Sequence, residues 1–157
     1  MQKIVPYLWF NDQAEEAVNF YTSIFKDSKI AEVSRYADDG SGQVGKVMTM
    51  TFQLNGQDFM ALSGGPAFSF SPAISLFVNC ESQDEVDHLW EKLSAGGQIE
   101  QCGWLKDKFG ISWQIIPTVL GEMMSDKDPE KLGRVMQAML QMTKIDISLL
   151  KKAYYQD

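Results

Sequence analysis

The stretch KIVPYLWFNDQAEEAVNFYTSIF (3–25) decides the fold of this chain. Its first part, residues 3–10, is apolar and aromatic and predicts a buried strand, with Pro6 near a sheet edge or a strand end. Asp12 and Glu15 follow in a capping-box arrangement that predicts the start of a helix. The helix carries one apolar stripe at helical spacing, formed by Ala14, Ala17, Val18, Tyr21, Ile24 and Phe25.

The residues after this helix predict an antiparallel sheet. Strands are expected at about 29–36 and 47–54, separated by the Gly- and Asp-rich loop 37–43. Asn55-Gly56 is typical of a tight hairpin, which would join the second of these strands to a further strand at 59–63. The first module is therefore predicted to have the order β-α-β-β-β.

The same order of elements recurs further along the chain. AISLFVN (73–79) predicts a strand, and Ser82 with Glu85 forms a second capping box. Strands are expected again at roughly 98–105 and 111–116. An offset of 68 residues superimposes the apolar phase of the two helices, so the chain is predicted to contain an internal duplication. The stripe of the second helix consists of Val86, Leu89, Trp90 and Leu93.

After Pro117 the pattern becomes helical. Asp128-Pro129 is a specific helix start, and Asp146 caps a further helix. The stripe of the first of these helices is formed by Val135, Met136, Met139 and Leu140. We expect an α+β protein with a single domain over residues 1–157, divided into module one (1–65), module two (66–117) and C-terminal helices (118–157).

Composition excludes several classes of partner. The chain has 157 residues and a net charge of −7, with no run of basic residues, so nucleic-acid binding is not expected. It has no signal-peptide pattern and no apolar run near the ~20 residues of a membrane span, which predicts a cytoplasmic protein without a membrane partner. Cys80 and Cys102 are too few for a disulfide framework and match no zinc-site spacing.

Four segments carry a resemblance to a known family. They are PYLWFNDQAEEAVNFYTSIF (6–25), NGQDFMAL (55–62), DKFGISWQIIP (107–117) and MQAMLQMTKIDISLLKKAY (136–154). In this order they resemble the PhnB-like branch of the vicinal oxygen chelate superfamily, which also contains glyoxalase I and the extradiol dioxygenases. The branch is often labelled demethylubiquinone methyltransferase-like. The resemblance covers essentially the whole chain.

The resemblance implies an architecture and a site. Two modules would curl into a half-open mixed β-barrel around a pocket, and the two-module members commonly form homodimers. Metal-dependent members carry His or acidic ligands at positions that fall near Val5, Met60, Ala73 and Gln114 of this chain. None of these side chains is an imidazole or a carboxylate, so no bound metal is expected.

The remaining chemical signals are weak. The one histidine, His88, lies on the polar side of the second helix and is expected at the surface. No glycine-rich turn opens a helix after a strand, so a seat for S-adenosylmethionine is not predicted, and no cofactor is expected. Cys80 precedes a capped helix whose N-terminus could lower the thiol pKa, although an inert buried thiol is the simpler interpretation. Asp107 is expected to form a turn.

A pocket is the remaining functional prediction. Strand alternation puts one set of side chains on matching strand faces, namely Tyr7, Trp9, Ser75, Phe77, Ser112 and Gln114. Met60, at a position that the resemblance implies, completes the predicted pocket. Such a pocket suits a small, largely apolar ligand, although the same side chains could simply fill a core. We therefore expect a metal-free small-molecule binding protein that forms a homodimer. The alternative is an enzyme, either a metal-independent lyase or isomerase or the methyltransferase that the family label suggests.

Overall fold

The computed structural model describes residues 2–40 and 42–156. Its elements follow one another as β-α-β-β-β, again β-α-β-β-β, and three helices, so the predicted duplication and the helical tail are confirmed. Their bounds are β1 (Tyr7–Phe10), α1 (Ala14–Ile24), β2 (Lys29–Arg35), β3 (Val47–Leu54), β4 (Gln57–Ser63), β5 (Ser75–Cys80), α2 (Gln83–Ser94), β6 (Gln98–Ile99), β7 (Trp104–Lys106), β8 (Ser112–Pro117), α3 (Thr118–Met124), α4 (Pro129–Leu140) and α5 (Ile147–Tyr155).

Each β-α-β-β-β sequence forms a four-stranded mixed sheet of its own. The strand orders are β1-β4-β3-β2 and β5-β8-β7-β6. β1 runs parallel to β4 and β5 parallel to β8, whereas the other neighbours are antiparallel. The chain divides after Phe70 into two compact units, which we call the first unit and the second unit. Both sheets are open and the α+β class is confirmed, while the predicted module bounds stay a prediction.

The helix within each repeat covers one face of its sheet. In the first unit four residues of the α1 stripe are buried, as are Phe10, Phe52 and Ala61 of the sheet; the four are Ala14, Ala17, Val18 and Tyr21. In the second unit the stripe of α2 is buried together with Leu105 and Ile115. Since alternate strand residues point to opposite faces, each sheet also has a face that is turned away from its helix.

The predicted hairpin turn and the second capping box are confirmed, whereas the first capping box is wrong. Asn55 and Gly56 adopt the positive φ angles of 51° and 79° that the predicted hairpin turn requires. Ser82 Oγ accepts a hydrogen bond of 3.1 Å from the Glu85 amide, so the second capping box starts α2 as predicted. The predicted cap at Asp12 is wrong. α1 begins after Gln13, and Ser63 Oγ of β4 accepts a bond of 3.2 Å from the Ala14 amide.

Two predicted strands are shorter than expected. The strand at 3–10 is confined to β1, because Pro6 has no amide hydrogen to donate to a ladder, although its carbonyl accepts a bond of 2.9 Å from Met60 N. The strand at 98–105 is wrong as one strand and becomes β6 and β7. The chain reverses between them, where Cys102 and Gly103 have φ angles of 58° and 83°.

The C-terminal helices pack within the second unit. Asp128 and Asp146 cap α4 and α5 as predicted, accepting bonds from Glu130 N at 3.0 Å and Leu149 N at 3.1 Å. One apolar cluster joins the helices to Ile116 of β8, and its other buried members are Leu120, Met123, Val135, Met142, Ile145 and Leu150.

Candidate functional site

The first unit carries three of the predicted site residues on one face of its sheet. Tyr7 of β1 is the register partner of Met60 of β4, and Trp9 is the partner of Leu62. Because side chains alternate along a strand, these four residues share the face turned away from α1, which we call the first open face. Tyr7 has 48% of its surface exposed, and the other three side chains are half-buried.

Trp9 is held by the segment that follows β4. Its indole Nε1 donates a hydrogen bond of 2.9 Å to the carbonyl of Gly65, and its ring meets Phe68 edge to face at 5.0 Å between centroids. A Cβ on Gly64 would lie 2.6 Å from two atoms of the Trp9 ring, so only glycine permits this approach. Trp9 therefore fixes the connecting segment and presents Phe68, which the sequence interpretation missed.

Hydroxyl side chains of β2 and β3 also lie on the first open face. Ser34 Oγ and Thr49 Oγ1 lie 2.5 Å apart across β2 and β3, and the Tyr36 hydroxyl donates to the Ser63 carbonyl at 2.8 Å. The alternation of Thr49 and Thr51 with apolar residues was visible in the sequence. The partners on β2 were not, because a bulge between Ile30 and Glu32 shifts the register.

The second unit carries the other four predicted residues on one face. Ser75 of β5 is the register partner of Ser112 of β8, and Phe77 is the partner of Gln114. This face, which continues to Ile116, is the second open face. Gln114 Nε2 donates a hydrogen bond of 2.9 Å to Ser75 Oγ, and the Phe77 side chain is 53% exposed.

Ser112 is the least satisfied polar group of this face. Its side chain is 1% exposed, and its Oγ has no hydrogen-bond partner among the residues that the structure describes. A buried hydroxyl without a partner costs roughly 1–3 kcal/mol. Such an atom either binds water or awaits a polar group from outside the chain.

The residues at the four superfamily metal positions do not fit a divalent metal. Met60 and Gln114 lie on the open faces, whereas Val5 precedes β1 and Ala73 precedes β5. A thioether, a neutral amide and two aliphatic side chains are poor ligands for zinc, manganese or iron. Within residues 2–40 and 42–156, no three His, Cys, Asp or Glu side chains come together as a metal site. His88 lies exposed on α2.

The helix starts do not resemble a seat for S-adenosylmethionine. α1 follows Asn11-Asp12-Gln13, α2 follows Glu81-Ser82, and α3 follows Pro117 directly. A Gly-rich strand-to-helix turn, which brings backbone amides close to a bound nucleotide, precedes none of these helices.

Cys80 does not have the properties of a nucleophile. The hypothesis that the N-terminus of α2 lowers its pKa is wrong. Burial raises the pKa of the Cys80 thiol from 9.0 to about 12, and the negative charge of Glu85 adds to the rise. The thiol therefore stays protonated near neutral pH and packs as a small apolar group.

Two surface clefts lie apart from the predicted residues. One, of about 700 Å³, belongs to the first unit and is lined by Glu15, Arg35 and Lys46 among others. The other, of about 540 Å³, belongs to the second unit and lies between the start of α2 and the start of α5. In the first cleft Arg35 and Glu15 form an exposed ion pair of 3.7 Å, which is typical of a solvated surface.

The repeated β-α-β-β-β sheets define a protein of the glyoxalase fold. More narrowly, the chain belongs to the PhnB-like family described as 3-demethylubiquinone-9 3-methyltransferase, whose sequence model matches residues 2–116. The resemblance found in the sequence is thereby confirmed.

Solved structures agree with this placement. A putative 3-demethylubiquinone-9 3-methyltransferase, PhnB protein, from Bacillus cereus is 44% identical, with coverage of 74% of this chain and 99% of that chain and a TM-score of 0.69. A protein from Pseudomonas aeruginosa shares the fold, with 22% identity over 74% of this chain and 98% of that chain and a TM-score of 0.64.

More distant likeness concerns the fold alone. The fosfomycin resistance protein of Listeria monocytogenes, solved with Mn(II) and sulfate, is 18% identical over 72% of this chain and 90% of that chain, with a TM-score of 0.52. A search of curated proteins gave no match. Of the helices in the described part of the chain, none has the length and apolar character needed to cross a bilayer.

Proposed function

We propose that this chain binds a small, uncharged aromatic molecule on the second open face and acts as a binding protein without a metal. The observation that carries the proposal is the buried Ser112 hydroxyl, which lacks a partner among the described residues. Phe77, exposed and opposite Gln114, supplies an aromatic surface on the same face. The ligand contacts predicted from the sequence at Tyr7, Trp9 and Met60 belong to the first open face and are not part of this proposal.

The polar groups of this face have unused hydrogen-bonding capacity. An amide side chain has two N–H donors and one carbonyl acceptor, and the bond from Gln114 to Ser75 uses one donor. The Ser112 hydroxyl can both donate and accept. A ligand hydroxyl or carbonyl beside a flat apolar ring would match these groups, because stacking on Phe77 and one or two hydrogen bonds can act together.

The proposal is tested by calorimetry with phenol, 2-naphthol, benzoate, S-adenosylmethionine and Mn²⁺ as probes. We expect the phenols to bind. Benzoate tests for an anionic ligand, since the partly exposed Lys106 is the register partner of Ser112. Binding of S-adenosylmethionine in preference to the phenols would instead favour the methyltransferase reading of the family name.

Ser112→Ala separates a ligand group from a packing residue. Removal of an unsatisfied buried hydroxyl should raise the free energy of unfolding by about 1 kcal/mol while it weakens phenol binding at least fivefold. Ser125→Ala, an exposed serine at the end of α3, is the matched control. Unchanged phenol affinity in Ser112→Ala would contradict the proposed site.

A further inference from the structure

The C-terminal helices cover one end of the second open face. Ile116 follows Gln114 on this face, two positions along β8. Gln114 is partly exposed, but Ile116 is only 8% exposed because it packs into the cluster formed by α3, α4 and α5. Along β8 the face is therefore accessible at Gln114 and closed at Ile116, while Ser112 on the other side of Gln114 is buried.

The segment between α4 and α5 closes this end of the second open face. Its backbone pairs with the turn before β7, since Cys102 N donates to the Met142 carbonyl at 2.9 Å and Gly103 N to the Thr143 carbonyl at 2.8 Å. A Cβ on Gly103 would lie 2.7 Å from Ile116 Cδ1 and 3.1 Å from Ile145 Cγ1. The side chains of Ile116 and Ile145 thus come together over this glycine.

One side chain of α2 fixes the same segment. The amide of Gln83 donates from Nε2 to the Ile145 carbonyl at 3.0 Å and accepts at Oε1 from Ile147 N at 2.7 Å. Lys144 and Asp87 add an ion pair of 2.8 Å. Hydrogen bonds on both sides of Ile145 hold its side chain in place, as a wall requires.

We propose that Ile116, backed by the fully buried Ile145, is the end wall of the ligand site and limits the length of the molecule that binds there, an inference that rests on the proposed function. Residues two apart on a strand are separated by about 7 Å. A ligand anchored at Gln114 and directed along β8 meets Ile116 after this distance, and Ile145 prevents Ile116 from giving way. The family's sequence model ends at residue 116, so the residue that backs the wall belongs to a segment outside the matched region.

The test uses 4-alkylphenols from methyl to octyl as probes. With wild-type protein, the affinity should rise about fourfold for each added methylene until the chain reaches the wall, and then fall. Ile145→Ala should raise the affinity of the first excluded homologue at least fivefold. Ile145→Val, which removes a single methylene and keeps the apolar cluster, should give a smaller shift in the same direction.

Leu150→Ala is the matched control, since Leu150 is fully buried in the same cluster on α5. It should lower the melting temperature without moving the length limit. An unchanged limit in both Ile145 variants, or an equal shift in Leu150→Ala, would overturn the wall while leaving phenol binding intact. If no alkylphenol binds the wild-type protein, the proposed function fails and this inference fails with it.

Discussion

The indole Nε1 of Trp113 donates a hydrogen bond of 2.8 Å to Oδ2 of Asp107, and both side chains are buried. Oδ1 of the same carboxylate accepts bonds from the amides of Phe109, at 2.8 Å, and Ile111, at 3.1 Å. One aspartate therefore organises the turn from β7 to β8 and sets where β8 begins. Since β8 carries Ser112 and Gln114, the open face depends on it.

Replacement of Asp107 should destabilise the protein strongly. Asp107→Ala leaves three N–H donors without their acceptor in a buried place, and we expect the free energy of unfolding to fall by about 3 kcal/mol. Urea denaturation measures this change. Asp38→Ala, at an exposed position, is the control and should stay within about 0.5 kcal/mol of the wild type. Similar unfolding midpoints for the two variants would contradict the role of Asp107.

Cys80 should make the free energy of unfolding depend on pH in the alkaline range. The pKa of its thiol is 9.0 in the unfolded chain and about 12 in the folded protein, so only the unfolded chain loses the proton between these values. The thiol's contribution is complete below pH 9 and is lost as the pH rises towards 12. The stability advantage of the wild type over Cys80→Ala should shrink from pH 8 to 10.5 in urea titrations. An advantage that widens with pH would refute this account.

Alanine substitution should have opposite effects on the free energy of unfolding at Gly64, which contacts Trp9, and at Gly121. Gly64→Ala forces a methyl group against the Trp9 ring and should lower the free energy of unfolding by about 1–3 kcal/mol. Gly121, inside α3, has no atom within 4 Å of an added Cβ, so Gly121→Ala should raise it by about 0.5–1 kcal/mol. Thermal unfolding, monitored by circular dichroism, shows whether each substitution raises or lowers the stability. Equal destabilisation by both would argue against the contact.

We propose, finally, that the chain forms a homodimer through α4. Only part of the apolar stripe predicted for this helix is buried. Val135 is fully buried and Met139 packs against the cluster, whereas Met136 and Leu140 are 36% and 54% exposed. An exposed apolar pair on a helix surface favours self-association. Light scattering should give twice the chain mass of 17.7 kDa.

The double variant Met136→Lys/Leu140→Lys should be monomeric, because two buried charges would be introduced at the interface. Gln137→Lys/Gln141→Lys adds the same charge at neighbouring exposed positions, one in α4 and one at its C-cap, and should stay dimeric. A full-length protein that is monomeric at high micromolar concentration would disprove the dimer.

The fold could be predicted because its signals are local. The stripe of α2, the Ser82 cap and the Asn55-Gly56 turn each depend on residues a few positions apart. The errors have a common cause, since the deciding contacts lie far away in sequence. α1 is capped from β4, 49 positions away. Cys102 adopts a positive φ that is uncommon for a residue other than glycine, and its amide bonds to the distant Met142 carbonyl.

The candidate site, too, could be predicted from the sequence only where local signals decide. Strand alternation sufficed to assign Ser75, Phe77, Ser112 and Gln114 to one face, because the period of two is a local property. The isolation of the Ser112 hydroxyl and the proximity of Ile145 to Ile116 were not predictable. Both depend on tertiary packing, which periodicity does not encode.

The two hydrogen bonds of the Gln83 side chain also affect when the protein can fold during its synthesis. Its two partners lie 62 and 64 positions downstream, so the second unit cannot complete these contacts until Ile147 has emerged from the ribosome. The first unit contains its own sheet and helix and can fold earlier. Until then the apolar cluster around Ile116 lacks its cover from α5, and chaperones and proteases can act on the nascent chain in that interval. Stalled nascent chains of increasing length, probed with protease, would show protection of the second unit only after the α5 segment is released.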